Sequence, residues 1–510
     1  MKSGMGVVME RKTTNAFKID LLWLGLGSLA YAFIGWRWSA PAATWIAPVF
    51  LLRFFRNQER WYVPLLALPC LYAAFLTNMI GAWDLPAVAQ IILPAIVPLP
   101  LILVLYIDRA LSPRLRGISS TLVFPAAYVT VDYLLGFTPL GTLFSFASTQ
   151  FSFSTIIQAV SITGIWGVSF LITWFASVVN AAWEDHFDLG SYRSSGRFRF
   201  LGNPAVLFTA AALLLLAYGS VRIAIPASWR KTVRVAGITA EHPRDYWALL
   251  DVATPEGEVD RYRAEMRAIE EQLFQQSSRA VQAGAGIIFW AEGNAVVPEE
   301  ELERFIARSR DFAGANGVYF APAILHLRYG SSLNYNQVLM FTPEGELAFT
   351  YQKTKSWIPV DSDGVIRTVE TPYGNLAAAI CFDMDFPGFL LQAARAGTDI
   401  MLVPGYDSER IRPFHTEPAL IRGIEGGYSV IRQVNEGTSM AADYTGTVVA
   451  RQDYFTTNDR LMLADVPVRG TWTVYRYLGD WFAWASAALF ALLAGLAVFR
   501  GSRKPHAAES

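Results

Sequence analysis

The chain has 510 residues and a formal net charge of −1, and 53% of its residues are hydrophobic whereas 17% are charged. Soluble domains contain about 25% charged residues, so the composition excludes both a disordered chain and a wholly soluble one. The near-zero net charge gives no support for nucleic-acid binding, which requires a basic surface. At about 100–200 residues per domain, the length predicts two or three domains.

The apolar residues are concentrated in eight runs, each close to the length of about 20 residues that spans a bilayer. They are residues 17–36, 39–55, 61–80, 86–107, 118–136, 156–182, 204–225 and 480–499. The pattern predicts a membrane domain with about seven transmembrane helices over 1–227, and a C-terminal transmembrane helix with a tail over 476–510. An alternative for the first run is a signal peptide, because Ala30-Tyr31-Ala32 is similar to a signal-peptidase site.

The basic residues predict the orientation of these helices, because cytoplasmic loops are enriched in Lys and Arg. The first, third and fifth loops contain one basic residue, Arg37, whereas sixteen lie in the two termini and in the second, fourth and sixth loops. Both termini are therefore expected in the cytoplasm, and the segment 228–475 outside the cytoplasmic (inner) membrane. The sixteen are Lys2, Arg11, Lys12, Lys18, Arg53, Arg56, Arg60, Arg109, Arg114, Arg116, Arg193, Arg197, Arg199, Arg500, Arg503 and Lys504.

The segment 228–475 alternates between short apolar strands and amphipathic helices, which predicts an α/β domain that is large enough to bury its own core. Strands are predicted at 232–240, 286–292, 318–326, 338–342, 347–351, 375–381, 399–404, 428–434, 438–450 and 461–467. Helices are predicted at 257–283, 386–397 and 413–426, and another is expected to begin at Pro298 with three glutamates in its first turn.

Three of the predicted strands end in a reactive side chain or are followed closely by one, and these are Glu292, Lys353 and Cys381. Sites in α/β proteins collect at strand ends. A thiolate nucleophile requires a base that removes its proton and a cation that stabilises the oxyanion, and Glu and Lys supply these two functions. Taken singly, each residue has a structural alternative: a small core residue for Cys381, a solvated charge for Lys353 and an acid near a helix for Glu292.

The remaining candidates for metal or cofactor chemistry are weak. Cys70 lies in an apolar run, so both it and Cys381 are expected to be free thiols, and the absence of a CxxC spacing excludes a thiolate metal site. The five histidines are too scattered to predict a metal cluster, and no cofactor is expected. His415 is the one histidine near the Cys381 segment and so a candidate for the site, and the favoured alternative is an exposed polar residue at the start of a helix.

The triplets Trp290-Ala-Glu292 and Tyr351-Gln-Lys353 and the segment Ile380-Cys-Phe-Asp383 occur in this order, with NQVLMFTPEG at 336–345 before the lysine and Phe-Pro at 386–387 after the cysteine. This arrangement resembles the carbon–nitrogen hydrolase (nitrilase) superfamily over about 232–468. The resemblance implies an αββα sandwich in which Glu292 is the general base, Lys353 stabilises the tetrahedral intermediate and Cys381 carries the acyl group as a thioester.

The combination of such a domain with apolar runs resembles the apolipoprotein N-acyltransferases, a family of membrane enzymes. The segments 141–150 (GTLFSFASTQ), 164–170 (GIWGVSF) and 475–482 (YRYLGDWF) are similar to motifs of that family. The resemblance implies a phospholipid acyl donor, a diacylated apolipoprotein acceptor and an extracytoplasmic active site at the bilayer surface. Two alternatives remain: a membrane-anchored amidase or acyltransferase with another amine acceptor, and a catalytically silent scaffold or transporter.

The chain departs from the family pattern at several positions. Ala291 and Gly293 flank the glutamate where the family has Pro and Thr, and only Asp361 or Asp363 can replace a supporting glutamate after the lysine. Phe382 and Asp383 follow the cysteine where the family has Tyr and Glu. Asp383 is expected to orient Lys353, hold the incoming amine or cap a turn, and Phe382 and Trp290 are further candidates for substrate binding or support. In the membrane part, Asp132 is expected to cap a helix contact or orient the domain.

Overall fold

A computed structural model describes residues 2–80, 82, 87–187, 203–225, 231–241, 256–328, 331, 335–357, 359–412 and 414–502. These residues form an N-terminal helical region and a C-terminal α/β domain, followed by a long apolar helix. The predicted boundary between residues 227 and 228 lies outside the described residues. So do five of the basic residues that predict the orientation, namely Arg193, Arg197, Arg199, Arg503 and Lys504.

Helices occur at each of the seven N-terminal apolar runs. They are α1 Lys2–Tyr31, α2 Pro41–Asn57, α3 Ala67–Met79, α4 Ala87–Ile96, α5 Leu99–Leu111, α6 Ile118–Thr121, α7 Val123–Leu135, α8 Ser154–Ile157, α9 Val160–Thr163, α10 Ile165–Phe187 and α11 Pro204–Ala224. In the described chain, five helical segments are long and apolar enough to cross a membrane: Ala87–Arg114, Ile118–Leu135, Ile165–Glu184, Pro204–Ala224 and Trp481–Arg500. The larger number of crossings stays a prediction.

The α/β domain contains fourteen strands and four helices within the described residues. They are β1 Thr232–Ile238, α12 Glu256–Gln282, β2 Ile287–Trp290, β3 Ala295–Pro298, α13 Leu302–Asn316, β4 Tyr319–Ala321, β5 Ala323–Leu327, β6 Tyr335–Phe341, β7 Leu347–Gln352, β8 Thr368–Thr371, β9 Gly374–Ala378, α14 Pro387–Arg395, β10 Ile400–Tyr406, α15 Thr416–Gly426, β11 Ser429–Asn435, β12 Thr438–Ala442, β13 Val448–Asp453 and β14 Leu461–Pro467. The short helix α16 Val474–Leu478 and the apolar helix α17 Trp481–Ser502 follow.

Two sheets pack face to face and form the nitrilase-like αββα sandwich. The first sheet has the order β14-β1-β2-β4-β6-β5-β3, with β7 paired to β6, and the second has the order β13-β12-β11-β10-β9-β8. The core between them contains apolar residues of both sheets, such as Val235, Ile287 and Ile400. Helices α12 and α13 cover the outer face of the first sheet, and α15 packs against β11 of the second.

Several predicted elements differ from the structure. The strand expected over 318–326 is two strands, Tyr319–Ala321 and Ala323–Leu327. The helix expected at Pro298 begins at Leu302, because residues 295–298 pair with β5 as a strand and Glu299–Glu301 form a 3₁₀ turn. The strand expected over 438–450 is a hairpin, because the Asp443 carboxylate accepts backbone hydrogen bonds in the turn. The strand before Cys381 ends at Ala378, so the cysteine lies in a turn.

Polar contacts of the three membrane-family motifs join the helical region to the sandwich and to the segment that follows it. Thr142 donates two hydrogen bonds, through its backbone N and Oγ1, to the carbonyl of Asp385, each 2.8 Å long. The Trp166 indole donates to Asp480 over 2.7 Å. Asp132 on α7 accepts hydrogen bonds from Ser145 (2.7 Å) and from Ser169 on α10 (3.4 Å). These contacts connect the 141–150 segment to two helices, which fits a structural function for Asp132.

Candidate active site

Cys381 occupies a strained turn between two hydrophobic cores. The turn Cys381–Asp385 follows β9, and Cys381 has a φ of +48°, which is uncommon for a residue other than glycine and marks functional sites. Cys381 and Met384 belong to the core of the sandwich, whereas Phe382 and Phe386 belong to the core of the membrane helices. The turn therefore places a thiol at the junction of the two regions.

Glu292 and Lys353 form an ion pair at this junction, with 2.6 Å between Lys353 Nζ and Glu292 Oε1. Glu292 follows β2 by two residues, and Lys353 follows β7 directly. The side-chain amide of Asn336 on β6 donates to the same carboxylate oxygen over 2.7 Å. The backbone carbonyl of Asn336 accepts a hydrogen bond from the backbone N of Lys353. Oε2 of Glu292 is buried and has no hydrogen-bond partner among the described residues, so it is the oxygen that can take up a proton.

The charges of Glu292 and Lys353 both act on the Cys381 thiol. Burial and then the Glu292 carboxylate raise the pKa of the Cys381 thiol to about 12, while Arg432 and Lys353 oppose the shift. Burial disfavours the charged form of Lys353, but Glu292 outweighs it and raises the pKa of the ammonium above its usual range. At neutral pH the resting site therefore holds a neutral thiol beside an ion pair.

Asp383 connects the cysteine turn to the lysine segment. Its Oδ1 accepts from the backbone N of Thr354 (3.1 Å) and Lys355 (2.6 Å), and its Oδ2 accepts from the Tyr351 hydroxyl (2.6 Å) and the backbone N of Ile380 (2.9 Å). The side chain is fully buried, and burial raises its pKa to about 6. Four donors leave no acceptor position for a substrate amine. The contacts combine turn capping with positioning of the strand end that carries Lys353.

Phe382 and Trp290 lie in different environments. Phe382 stacks on Trp357, with 5.4 Å between the ring centroids, and packs edge-on against Phe386. Trp290 lies in the core under α12 and donates to Ser277 over 3.0 Å. This location favours a structural function for Trp290, whereas Phe382 lies next to the thiol.

The departures after the lysine lie at the surface. Asp361 is exposed, and Asp363 is exposed and paired with Arg367. Neither aspartate replaces a buried carboxylate at the site.

Gly293 has a φ of +68°, so the turn after Glu292 requires a residue that tolerates this conformation.

A second cluster of charges lies next to the thiol and comprises Asp385, Asp407, His415 and Arg432, all of them buried. His415 Nδ1 lies 2.5 Å from Asp407 Oδ1, and its Nε2 lies 3.1 Å from Asp385 Oδ2. The interpretation of His415 as an exposed residue is therefore wrong. Burial opposes the charge of this imidazole, but Asp407 raises its pKa to about 9.

Cys381, Asp407 and His415 each place a potential metal-ligand atom within 4.8 Å of the others. However, Nη2 of Arg432 lies 2.9 Å from Asp407 Oδ1 and 3.1 Å from His415 Nδ1. A guanidinium thus occupies the place beside the carboxylate that a metal cation requires. The geometry is that of a hydrogen-bonded ion cluster.

Sequence reasoning missed Asn336, Asp385, Asp407 and Arg432. One of them has a local signal, because Arg432 is a charged residue in the middle of the strand Ser429–Asn435, every residue of which is buried. Asp385 lies in one connection between elements and Asp407 and His415 lie in another, so the spacing of the three along the chain does not predict that they meet.

The carbon–nitrogen hydrolase family model matches residues 259–476, so the sandwich is a carbon–nitrogen hydrolase domain. Over a longer stretch, the chain is similar to apolipoprotein N-acyltransferases, which confirms the resemblance found in the sequence. The protein of that name from Geobacter metallireducens is 24% identical over 426 residues, which cover 76% of each chain. The one from Azotobacter vinelandii is 23% identical over 528 residues, which cover 94% of this chain and 91% of the relative.

The domain is also similar to a smaller enzyme. The deaminated glutathione amidase of Mus musculus is 31% identical over 142 residues, which cover 23% of this chain and 44% of that protein. The similarity to the two N-acyltransferases extends over most of the chain, including the helical region.

The charged state of His415 predicts a pH dependence of stability. Its pKa is about 9 in the folded protein and about 6.5 in an unfolded chain. The contribution of the imidazolium is therefore fully present below about pH 6.5 and is lost as the pH rises to about 9. We expect the melting temperature in detergent to fall more steeply over this interval in the wild type than in His415→Gln. Equal slopes in the two proteins would contradict the charged assignment.

Proposed function

We propose that this protein is an N-acyltransferase that moves an acyl chain from a phospholipid, through a thioester on Cys381, to the N-terminal amine of a diacylated apolipoprotein. The observation that carries the proposal is the Glu292–Lys353 ion pair beside a thiol whose turn packs directly on the membrane helices. The similarity to N-acyltransferases over most of the chain supports the same choice of substrates.

In the first half-reaction, Glu292 removes the proton of the Cys381 thiol and the sulphur attacks the ester carbonyl of the phospholipid. The ammonium of Lys353 stabilises the oxyanion that forms. The tetrahedral intermediate collapses with cleavage of the ester bond, and the carboxylic acid of Glu292 returns the proton to the departing lysophospholipid alkoxide. The free Oε2 of Glu292 is suited to this exchange because its Oε1 already accepts from Lys353 and Asn336.

In the second half-reaction, the acceptor amine attacks the thioester, and Glu292 takes the proton that the amine loses. The C–S bond breaks, the amide product leaves, and the proton passes back to the thiolate. One site can serve two lipid-anchored substrates in turn because the enzyme stores the acyl group between them.

We also propose that the catalytic domain lies on the extracytoplasmic side of the inner membrane, with both termini in the cytoplasm. The asymmetry of basic residues along the chain supports this orientation. A reporter that is active only outside the cytoplasm should be active when fused near residue 300 and silent near residue 195. The reverse result would exclude access of the site to exported lipoproteins.

Transfer is tested by intact-mass analysis of a diacylated lipopeptide incubated with the purified protein and a phospholipid. We expect a mass gain of one acyl chain. Release of free fatty acid without a product amide would instead favour a hydrolase, the alternative supported by the similarity to deaminated glutathione amidase. Without the lipopeptide, acyl label should accumulate on Cys381 and be removed by hydroxylamine.

The variants for this experiment separate the proposed functions of the three residues. Cys381→Ala should abolish labelling, while Cys70→Ala should retain it, because Cys70 lies in α3. Glu292→Gln cannot take the thiol proton and should label slowly. Lys353→Ala should lower the labelling rate by about 10²–10³, the usual effect of removing an oxyanion donor. Product formation with no acyl-protein at any time would contradict the thioester route.

Asp383 is expected to act on the first half-reaction, because it holds the backbone after Lys353 and offers no free acceptor to an amine. Asp383→Asn replaces an acceptor oxygen with a donor and should slow thioester formation more than Asp383→Glu, which keeps both oxygens. Asp363→Asn is the matched control, since that carboxylate is exposed. Normal thioester formation with slow discharge in Asp383→Asn would instead indicate an amine-binding function.

A further inference from the structure

Arg432 is a buried cation that faces the candidate nucleophile. Its guanidinium is inaccessible to solvent, with Nη2 3.7 Å from Cys381 Sγ and Nη1 3.5 Å from the Cys381 carbonyl oxygen. A buried guanidinium is costly unless it is paired and hydrogen-bonded. Arg432 has one carboxylate partner, Asp407, and its Nε has no partner among the described residues. The donors at its tip are directed to the cysteine rather than to a second carboxylate.

The contacts of Asp407 lead back to the cysteine turn. Asp407 Oδ1 is shared between Arg432 and His415, and His415 reaches Asp385, which lies in the same turn as Cys381. The cluster is thus a closed ring that begins at the sulphur and returns to the turn that carries it. Two carboxylates balance the guanidinium and the imidazolium, so the ring holds its geometry without an excess charge.

We propose that Arg432 is a second cationic group at the reacting sulphur and stabilises the Cys381 thiolate together with Lys353, while Asp385, Asp407 and His415 are positioning residues that hold the guanidinium in place. The inference rests on the proposed function in that Cys381 is taken as the nucleophile. The thiol proton still goes to Glu292, and Arg432 neither gains nor loses a proton.

The two cations are not equivalent. Lys353 is bound to the base, so its charge is offset at rest by the Glu292 carboxylate and becomes available when that carboxylate takes the thiol proton. The partner of Arg432 is shared with a charged histidine, so the guanidinium remains a donor to the sulphur before and after proton transfer. Charged groups around the thiol come from the turn itself and from five other segments: Asp383, Asp385, Glu292, Lys353, Asp407, His415 and Arg432.

The test measures the reactivity of the Cys381 thiol and does not require acyl transfer. In the full-length Cys70→Ala protein, Cys381 is the sole cysteine, so its alkylation by iodoacetamide can be followed by mass across a range of pH in detergent. A cation within about 4–6 Å lowers the pKa of an anion-forming group by about 1–3 units. A thiolate of higher pKa is also intrinsically more nucleophilic, which offsets about half of this change, so Arg432→Gln should slow alkylation at least about threefold at any pH below the thiol pKa.

Arg432→Lys keeps the charge without the fork of donors and should give an intermediate rate. Arg422→Gln is the matched control, because Arg422 is equally buried but pairs with Glu425, and it should retain the wild-type profile. Loosened packing would make the sulphur more accessible and raise the rate, so a slower reaction cannot come from local unfolding. Wild-type alkylation in folded Arg432→Gln would overturn the proposal.

Where Arg432→Gln fails to fold, Arg432→Lys and His415→Gln decide the question, and wild-type alkylation in both would overturn the proposal. The lipopeptide experiment separates this inference from the proposed function. Alkylation that depends on Arg432 without any acyl transfer would remove the proposed function alone. Acyl transfer with alkylation that is independent of Arg432 would remove this inference alone.

Discussion

The turn Cys381–Asp385 lies in two hydrophobic cores at once, and the rest of the site depends on that packing. Phe382 and Phe386 are buried with the membrane helices, while Cys381 and Met384 are buried with the two sheets. Packed interiors have few voids, so a displacement of one core is transmitted to the other through this turn. The hydrogen bonds from Thr142 to the turn fix the distance between the regions. The position of the thiol is therefore set jointly by the sandwich and the helical region.

The same burial determines the electrostatics. Charges removed from water must be paired, and the site contains two such ion pairs whose charges act on the sulphur. Lys353 pairs with Glu292, and Arg432 pairs with Asp407. Burial keeps the thiol neutral at rest, because it raises the thiol pKa to about 12. In the proposed mechanism the thiolate is formed only when the base accepts the proton, which protects the resting thiol from side reactions.

Proximity to the helices is also what the proposed chemistry requires. A phospholipid and a lipid-anchored acceptor both remain in the bilayer, so a soluble site would have to extract their acyl chains into water at about 0.8 kcal/mol for each CH₂ group. Phe382, which is adjacent to Cys381 in the chain, packs in the core of the membrane helices and stacks on Trp357. In the proposed mechanism, transfer to an amine and hydrolysis would use the same three residues and would differ in which nucleophile reaches the thioester.

The sequence by itself determined the features that depend on local pattern: apolar helices, the alternation of strands and helices, and the order of Glu292, Lys353 and Cys381 at or just beyond strand ends. Tertiary structure decided which further side chains meet them. The local sequence around His415 favours an exposed residue, yet the side chain is buried between the carboxylates of Asp385 and Asp407. Arg432 is recognisable in the sequence as a charge within an apolar strand. Its contact with Asp407, however, depends on the pairing of β11 with β10, because Asp407 directly follows β10. Local propensity and periodicity act over a few residues, whereas contacts between distant segments follow from how whole sheets and helices pack.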